Sequence, residues 1–117
     1  MLTDWDTVIA KGEEIYEKSN GTVQLWPNIT EMVKVDAFSF DPLVRDGKLE
    51  ITDDWTGLID NMRTMFGSKA NAELGSWGSE WAAAWNDGTL LFRVMPSWDF
   101  FTDWDANKGN VGIATPF

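Results

Sequence analysis

Acidic residues beside tryptophan are the feature of this sequence with the clearest chemical meaning. Eight of the 117 residues are tryptophan, and carboxylates adjoin the rings in the runs Asp4-Trp5-Asp6, Asp53-Asp54-Trp55, Trp98-Asp99 and Asp103-Trp104-Asp105. An indole combines a large apolar face with one N–H donor, so it suits a protein core and also a ring-shaped polar ligand. A glycosidase would need two carboxylates facing each other across a sugar at ~5–10 Å. No spacing in the chain pairs two of them, so the pattern gives no support for sugar cleavage.

Cysteine and histidine are both absent. Their absence excludes zinc–thiolate sites, cysteine nucleophiles and catalysis by serine–histidine or cysteine–histidine pairs. Asp103, Asp105 and Asn107 have the spacing that opens an EF-hand calcium loop, but Lys108 replaces its glycine and Ala114 its last glutamate. We therefore predict a protein that is not an enzyme and that has no metal site and no cofactor.

An excess of acidic side chains limits the partners. The chain has 9 basic and 19 acidic residues and a formal net charge of −10. Such a surface repels phosphate backbones and anionic membranes, so no nucleic acid partner is expected. No apolar run approaches the ~20 residues that span a bilayer. At 117 residues, the chain is predicted to form a single domain, 1–117, with its own core.

Apolar residues at helical spacing predict four helices. The predicted helices begin near Trp5, Asn28, Asp53 and Ser79, and they end at Ser19-Asn20-Gly21, about Ala37, Gly67 and Trp85. Polar residues at the starts cap the free backbone N–H groups, and carboxylates there favour the positive end of the helix dipole. The helix stripes place Trp5 and Trp55 in the core.

Short apolar runs between the helices predict a small sheet. The predicted strands are Thr22–Trp26, Leu43–Val44, Leu49–Ile51, Leu90–Met95 and Val111–Thr115. The Asp46-Gly47 pair favours a tight hairpin, and the continuous apolar run at 90–95 is typical of a strand covered on both faces. Ser68–Gly78 is predicted to be a polar loop, and Pro96–Trp104 a short helix or a loop. The fold class is therefore α/β or α+β, with helices flanking a small sheet.

Trp26, Trp77 and Trp98 differ from the other tryptophans in their position along the chain. Each is predicted to lie where a strand or loop gives way to a helix. In open α/β sheets, ligands bind at the carboxyl ends of strands, where such connections lie. One face of an indole can stack on a pyranose while nearby polar side chains bond its hydroxyl groups. Core packing remains the alternative for each of the three rings.

Five motifs in order resemble the C-terminal lobe of extracellular solute-binding proteins of the maltose-binding type. The motifs are Thr3-Asp4-Trp5-Asp6, Trp85-Asn86-Asp87-Gly88, Leu90–Met95, Pro96-Ser97-Trp98 and Val111-Gly112-Ile113-Ala114-Thr115-Pro116. The resemblance covers essentially the whole chain. It implies an α/β fold: one lobe of a periplasmic-binding-protein type II fold, with a small sheet flanked by helices.

The resemblance also implies a function and a site. Trp98 matches the aromatic residue of the family's sugar cleft, Trp77 lies close to a second one, and Trp26 with Asn28 occupies a connection that lines the cleft. Asp99 is a candidate partner for sugar hydroxyl groups. The chain would then be the substrate-binding component of a carbohydrate ABC importer, extracellular or periplasmic, in a parent protein that is either free or held at the cell membrane by a lipid anchor.

The resemblance also implies that this chain is one lobe excised from a longer, two-lobed protein. We expect the partners to be a sugar or oligosaccharide, a missing N-terminal lobe and the permease subunits of the transporter. Half a cleft should bind sugar weakly. Apolar hinge and cleft surfaces that the missing lobe would cover favour self-association of the fragment.

Three alternatives stay open at this point. A stand-alone carbohydrate-binding module of a polysaccharide-degrading enzyme would fit the tryptophan content and the acidity, but such modules are usually all-β. A glycosidase subdomain would require a facing pair of carboxylates. A peptide- or polyamine-binding relative of the same fold would suit the acidic charge.

Overall fold

The computed structural model describes residues 2–107 and 109–114. In this part of the chain it contains five helices and one two-stranded antiparallel hairpin. The elements are α1 (Trp5–Lys18), α2 (Thr30–Asp36), β1 (Val44–Arg45), β2 (Lys48–Leu49), α3 (Asp53–Phe66), α4 (Ser79–Asn86) and α5 (Ser97–Ala106). The protein is thus a mixed helical structure with a small sheet, and all four predicted helices are present within a few residues of their predicted bounds.

Helix α1 begins where the capping signal predicts. Asp4 has an extended backbone, and its Oδ1 accepts the Thr7 N–H at 2.8 Å. Hydrogen bonding from the Thr7 side chain, together with this backbone bond, stabilises the negative carboxylate, so the pKa of Asp4 lies below its usual value. The buried residues of the helix recur on one face, as the spacing predicts: Trp5, Val8, Ile9 and Gly12.

The core lies between α1, α2 and α3. Helix α3 packs against both other helices and contributes Leu58 and Met65, while α2 contributes Met32. Gly12 of α1 lets the backbone approach the segment after α3, because a Cβ built at Gly12 would lie only 2.3 Å from the Cβ of Ala70. Trp55 is half-buried, with its N–H donated to the Asp41 carbonyl at 3.0 Å and its ring edge-on to Phe40.

Three short segments, at 24–27, 70–74 and 89–92, run side by side in parallel. Gln24 of the middle segment pairs with Leu90, and Trp26 pairs with Asn71 on the opposite side. Backbone hydrogen bonds extend these bridges by only a few residues. The middle segment is buried, with Leu25, Trp26 and Pro27 all shielded from solvent.

Two strand predictions need correction here. The predicted strands 22–26 and 90–95 do lie beside each other, but their pairing is confined to isolated bridges. Leu91 is 41% exposed, so the second run is not covered on both faces. Phe92 packs on the Trp26 ring and Leu90 is buried, whereas Leu91 points to the opposite face of the extended segment, which is exposed. The prediction of a loop at Ser68–Gly78 also missed the pairing of Asn71, because Asn is uncommon in strands.

The hairpin and the C-terminal part differ in how well they were predicted. Val44 pairs with Leu49 across a turn in which Asp46 and Gly47 both have positive φ, as in the tight hairpin that the Asp-Gly pair favours. Residues 97–106 form helix α5. Residues 111–114 have no regular secondary structure, so the strand predicted there is absent over these residues, and Thr115 lies outside the described residues.

None of the described helices has both the length and the apolar character needed to cross a membrane.

Candidate aromatic binding site

Trp77 and Trp98 stack on each other at the surface. Their ring centroids are 5.7 Å apart and the planes differ by 16°. Trp98 is 65% exposed and Trp77 is 53% exposed. We call this pair the tryptophan platform. Stacking covers one face of each ring, and the exposure of Trp98 leaves much of its indole open to solvent.

The loop before α4 holds Trp77 in an unusual backbone conformation. Gly78 N–H donates to the Gly75 carbonyl at 3.1 Å and closes a four-residue turn with Trp77 at its third position. The φ of Trp77 is +66°. Turns of type II require a positive φ at this position and usually place glycine there. The chain accepts a strained bulky residue at this point, and the strain is offset by the packing of its ring.

Asn28 anchors the loop that carries Trp77. Its Nδ2 donates to the Leu74 carbonyl at 2.6 Å and to Ser76 Oγ at 3.2 Å. Its Oδ1 accepts the N–H groups of Thr30 and Glu31, at 3.0 and 3.3 Å. Asn28 therefore caps α2, as its position predicts, and it joins that helix to the loop instead of pointing its amide at an open site.

The buried carboxylate of Glu31 also supports the loop that carries Trp77. Glu31 is fully buried in α2, and its Oε1 accepts hydrogen bonds from Ser76 Oγ and from Lys34 Nζ. The ammonium of Lys34 lies 2.6 Å from that oxygen and compensates the buried charge. Ser76 directly precedes Trp77, so these bonds fix the backbone next to the platform.

Trp26 lies in the core and away from the platform rings that it was predicted to join. It is buried, edge-on to Trp5 at 5.0 Å and stacked on Phe92 at 6.5 Å. Its N–H donates to the Asn28 carbonyl at 2.9 Å. The prediction of a ligand contact at Trp26 does not fit this packing, because Phe92 and Trp5 pack against the ring and leave the residue only 5% exposed.

Asp99 follows Trp98 in α5 and forms a buried ion pair. Its Oδ2 accepts a bond from Arg93 Nη2 at 2.8 Å, and the two side chains are only 15% and 4% exposed. The guanidinium carbon of Arg93 lies 4.4 Å from the ring centre of Trp81 and 5.0 Å from that of Trp85. Trp81 in turn packs against Trp77, at 5.5 Å between ring centres. Asp99 thus lies beside the platform, with its Oδ2 occupied by Arg93.

Arg93 is the residue that sequence reasoning missed. The signal that could have revealed it is a single cation inside the apolar run Leu90–Met95. A charged side chain in a buried segment needs a partner and a polarisable surrounding. Asp99 and the two tryptophans of α4 supply these.

Two other surface depressions are present. A recess of about 280 Å³ is lined by polar and acidic residues and by one aromatic: Thr3, Asp4, Trp5, Asp6, Asp36 and Asn61. An apolar groove of about 410 Å³ is lined by Ile29, Ile59, Met62, Arg63 and Phe66. The described residues contain no group of three or more acidic side chains arranged to hold a metal ion. Of the calcium-like run, the Asp103 side chain and Lys108 lie outside what the structure describes.

Comparison of the chain with protein-family models, with curated proteins and with solved structures finds no match.

Proposed function

We propose that this chain contributes one half of the ligand cleft of a two-lobed sugar-binding protein that serves an ABC importer. The proposal is supported chiefly by the tryptophan platform, in which Trp98 offers an exposed indole at the start of α5. Indole faces stack on apolar faces of ring-shaped ligands and gain most when water is displaced from both surfaces. The protein would act outside the cytoplasm, either free in the periplasm or held at the cell membrane by a lipid anchor.

The one-sided character of the platform supports a half-cleft. Stacking on Trp77 leaves only the outer side of Trp98 for a ligand, and polar groups near it are already bonded within the chain: Asn28, Ser76 and Asp99. A sugar on Trp98 would therefore need hydroxyl partners from another surface. A second lobe that closes over the ring would provide them and would expel water from the cleft.

The proposed role is capture of the ligand without catalysis. Asp99 is the carboxylate adjacent to the platform ring in sequence, and its pairing with Arg93 fits a structural role. A stand-alone carbohydrate-binding module is the second candidate. The helices of the described chain do not favour it, because such modules are usually all-β.

The test is titration of ¹⁵N-labelled protein with maltotriose, cellotriose and xylotriose, observed at the indole N–H resonances. Trp98 is assigned by the loss of its signal in Trp98→Phe. We expect one sugar to shift the Trp98 signal with a millimolar dissociation constant. Trp98→Ala, followed at the Trp77 indole N–H that Trp77→Phe assigns in the same way, should weaken binding about tenfold or more, as when a contact worth ~1.4 kcal/mol is lost. Phe38→Ala serves as the control, because Phe38 is a highly exposed aromatic residue outside the platform.

Three results would contradict parts of this proposal. Absence of any Trp98 shift with all three sugars would argue against sugar binding at the platform. Micromolar affinity of the isolated chain would argue against a half-cleft. Turnover of an aryl glycoside would argue for a glycosidase.

A further inference from the structure

Arg93 connects the three parts of the chain that meet at the platform. It directly follows Phe92, whose N–H donates to the Leu25 carbonyl at 3.0 Å in the last backbone bond of the 89–92 segment. From this fixed point its guanidinium contacts both tryptophans of α4 and Asp99 of α5. Its side chain is 4% exposed.

Two of the contacts of Arg93 are one step away from a platform ring. Trp81 lies against the guanidinium at 4.4 Å and against Trp77 at 5.5 Å. Asp99 is bonded to the guanidinium and is the neighbour of Trp98 in the first turn of α5. Arg93 is therefore linked to both rings of the platform through one intervening residue each.

The chemistry of this position requires a guanidinium. A planar cation can lie against an aromatic face while its in-plane N–H groups bond a carboxylate at its edge. A lysine ammonium carries the charge but has no flat face to lie against the indoles. A neutral side chain would leave the partly buried carboxylate of Asp99 without a cation to pair with.

We infer that Arg93 is the positioning residue of the tryptophan platform: it fixes Asp99 of α5 and Trp81 of α4 relative to each other so that Trp98 stacks on Trp77. The consequence for sugar binding rests on the function proposed above, whereas the consequence for ring stacking does not. Beyond the C-terminal end of α5, Asn107 Nδ2 also donates to Asn86 Oδ1 at 3.2 Å. This exposed bond lies at the end of the helix away from the rings.

The test uses the exciton circular dichroism of the stacked indoles, a spectroscopic signal that requires close rings in a fixed orientation. Because Trp5 with Trp26 and Trp77 with Trp81 also lie close together, the platform signal is taken as the part of the spectrum that is lost in Trp98→Phe. Arg93→Ala and Asp99→Asn should abolish the signal, and Arg93→Lys should retain less than half of it. Arg45→Ala and Asp41→Asn are the matched controls, because they break an exposed ion pair of the same two residue types at 2.9 Å.

Chemical rescue separates positioning from general loss of structure. Low concentrations of ethylguanidinium chloride should restore the signal to Arg93→Ala by refilling the space between Trp81, Trp85 and Asp99. Ethylammonium chloride should not restore it. If Arg93→Ala fails to fold, the decision falls to Asp99→Asn, which has the same shape as the native residue and lacks only its charge.

Two results would overturn the inference, and a third would separate it from the proposed function. An unchanged exciton signal in folded Arg93→Ala or Asp99→Asn would overturn the inference, as would equal rescue by the two cations. Loss and rescue of the signal in a protein whose Trp98 indole shifts with no sugar would support positioning by Arg93 and would reject the proposed function.

Discussion

Trp77 shows at the scale of a single residue how the platform constrains the backbone. Its φ of +66° lies in the left-handed region, which residues with a Cβ adopt at a cost of ~1–2 kcal/mol. Ser76 on one side is held by Asn28 and Glu31, and the ring on the other is held by Trp81 and Trp98. The strain persists because these contacts fix the chain on both sides of the residue.

This strain can be measured by comparing two substitutions that both remove the ring. Trp77→Gly relieves the backbone, whereas Trp77→Ala keeps a Cβ in the left-handed region. We expect the free energy of unfolding, measured with urea, to be about 1 kcal/mol higher for Trp77→Gly than for Trp77→Ala. The reverse order would mean that the turn does not have this conformation in solution.

A second prediction at the residue scale concerns Asp36. Its Oδ2 accepts the Trp5 indole N–H at 2.7 Å, yet burial raises the pKa of its carboxyl above the usual 3.8. The folded state therefore holds the proton more tightly than the unfolded state. The stability that this proton contributes is fully present below pH 3.8 and is lost as the pH rises through the folded pKa.

Asp36→Asn should remove this pH dependence while it keeps an oxygen for the indole. At neutral pH the variant should match the native protein or exceed it by less than about 1 kcal/mol, because solvent screens a partly exposed carboxylate. Urea unfolding of both proteins from acidic to neutral pH measures the difference. Parallel pH profiles would contradict the assignment of this effect to Asp36.

The residue types of the candidate site were predictable, but their roles were not. Trp77 and Trp98 were identified from their places at segment ends, and the structure brings them together. Asn28 and Asp99 were predicted to contact a ligand, and they bond to Ser76 and Arg93 instead. Their partners come from distant parts of the chain or from a cation hidden in an apolar run, which local spacing does not encode.

At the scale of elements, the glycines of α1 and α3 provide a matched pair. Gly12 faces the core, where an added Cβ would lie 2.3 Å from the Cβ of Ala70, whereas Gly57 has open space around it. Both lie inside helices, where alanine is favoured over glycine by roughly 0.5–1 kcal/mol. The two sites therefore share the same gain in helix propensity and differ only in packing.

Gly57→Ala should stabilise the protein by about 0.5–1 kcal/mol, whereas Gly12→Ala should destabilise it by ~1–3 kcal/mol through overpacking. Urea unfolding at neutral pH measures both changes. A stable Gly12→Ala variant would show that α1 does not approach Ala70 as closely as described.

Helices and the local hairpin were predicted well in this chain, whereas pairing between distant segments was not, for a physical reason. A helix such as α3 satisfies its own backbone and needs only an apolar stripe and end signals, both of which are local. The segments at 24–27, 70–74 and 89–92 satisfy one another, so each depends on residues far along the chain. Asn71 in particular carries no strand signal of its own.

At the scale of the whole molecule, the chain exposes more surface than a self-contained domain of its size. Its accessible surface is 7619 Å², whereas a compact protein of 13.2 kDa exposes about 6,400 Å². Its radius of gyration is 15.4 Å, compared with about 13 Å for a compact domain. Large apolar side chains such as Val44, Leu49 and Phe66 contribute to the exposed area. Exposed apolar area of this kind favours contacts with other protein surfaces.

The parallel pairing of Gln24 with Leu90 also determines when the middle segment can be paired during synthesis of the chain. The middle segment comes early in the chain, and its two neighbours come from the later parts, around Asn71 and Leu90. On a ribosome, the apolar run Leu25-Trp26-Pro27 must therefore wait until most of the chain has emerged before its backbone is paired. Contacts between distant residues form slowly, and unpaired apolar segments attract chaperones and other chains in the interval. Newly made protein would be most vulnerable to aggregation in that interval, before residue 90 arrives.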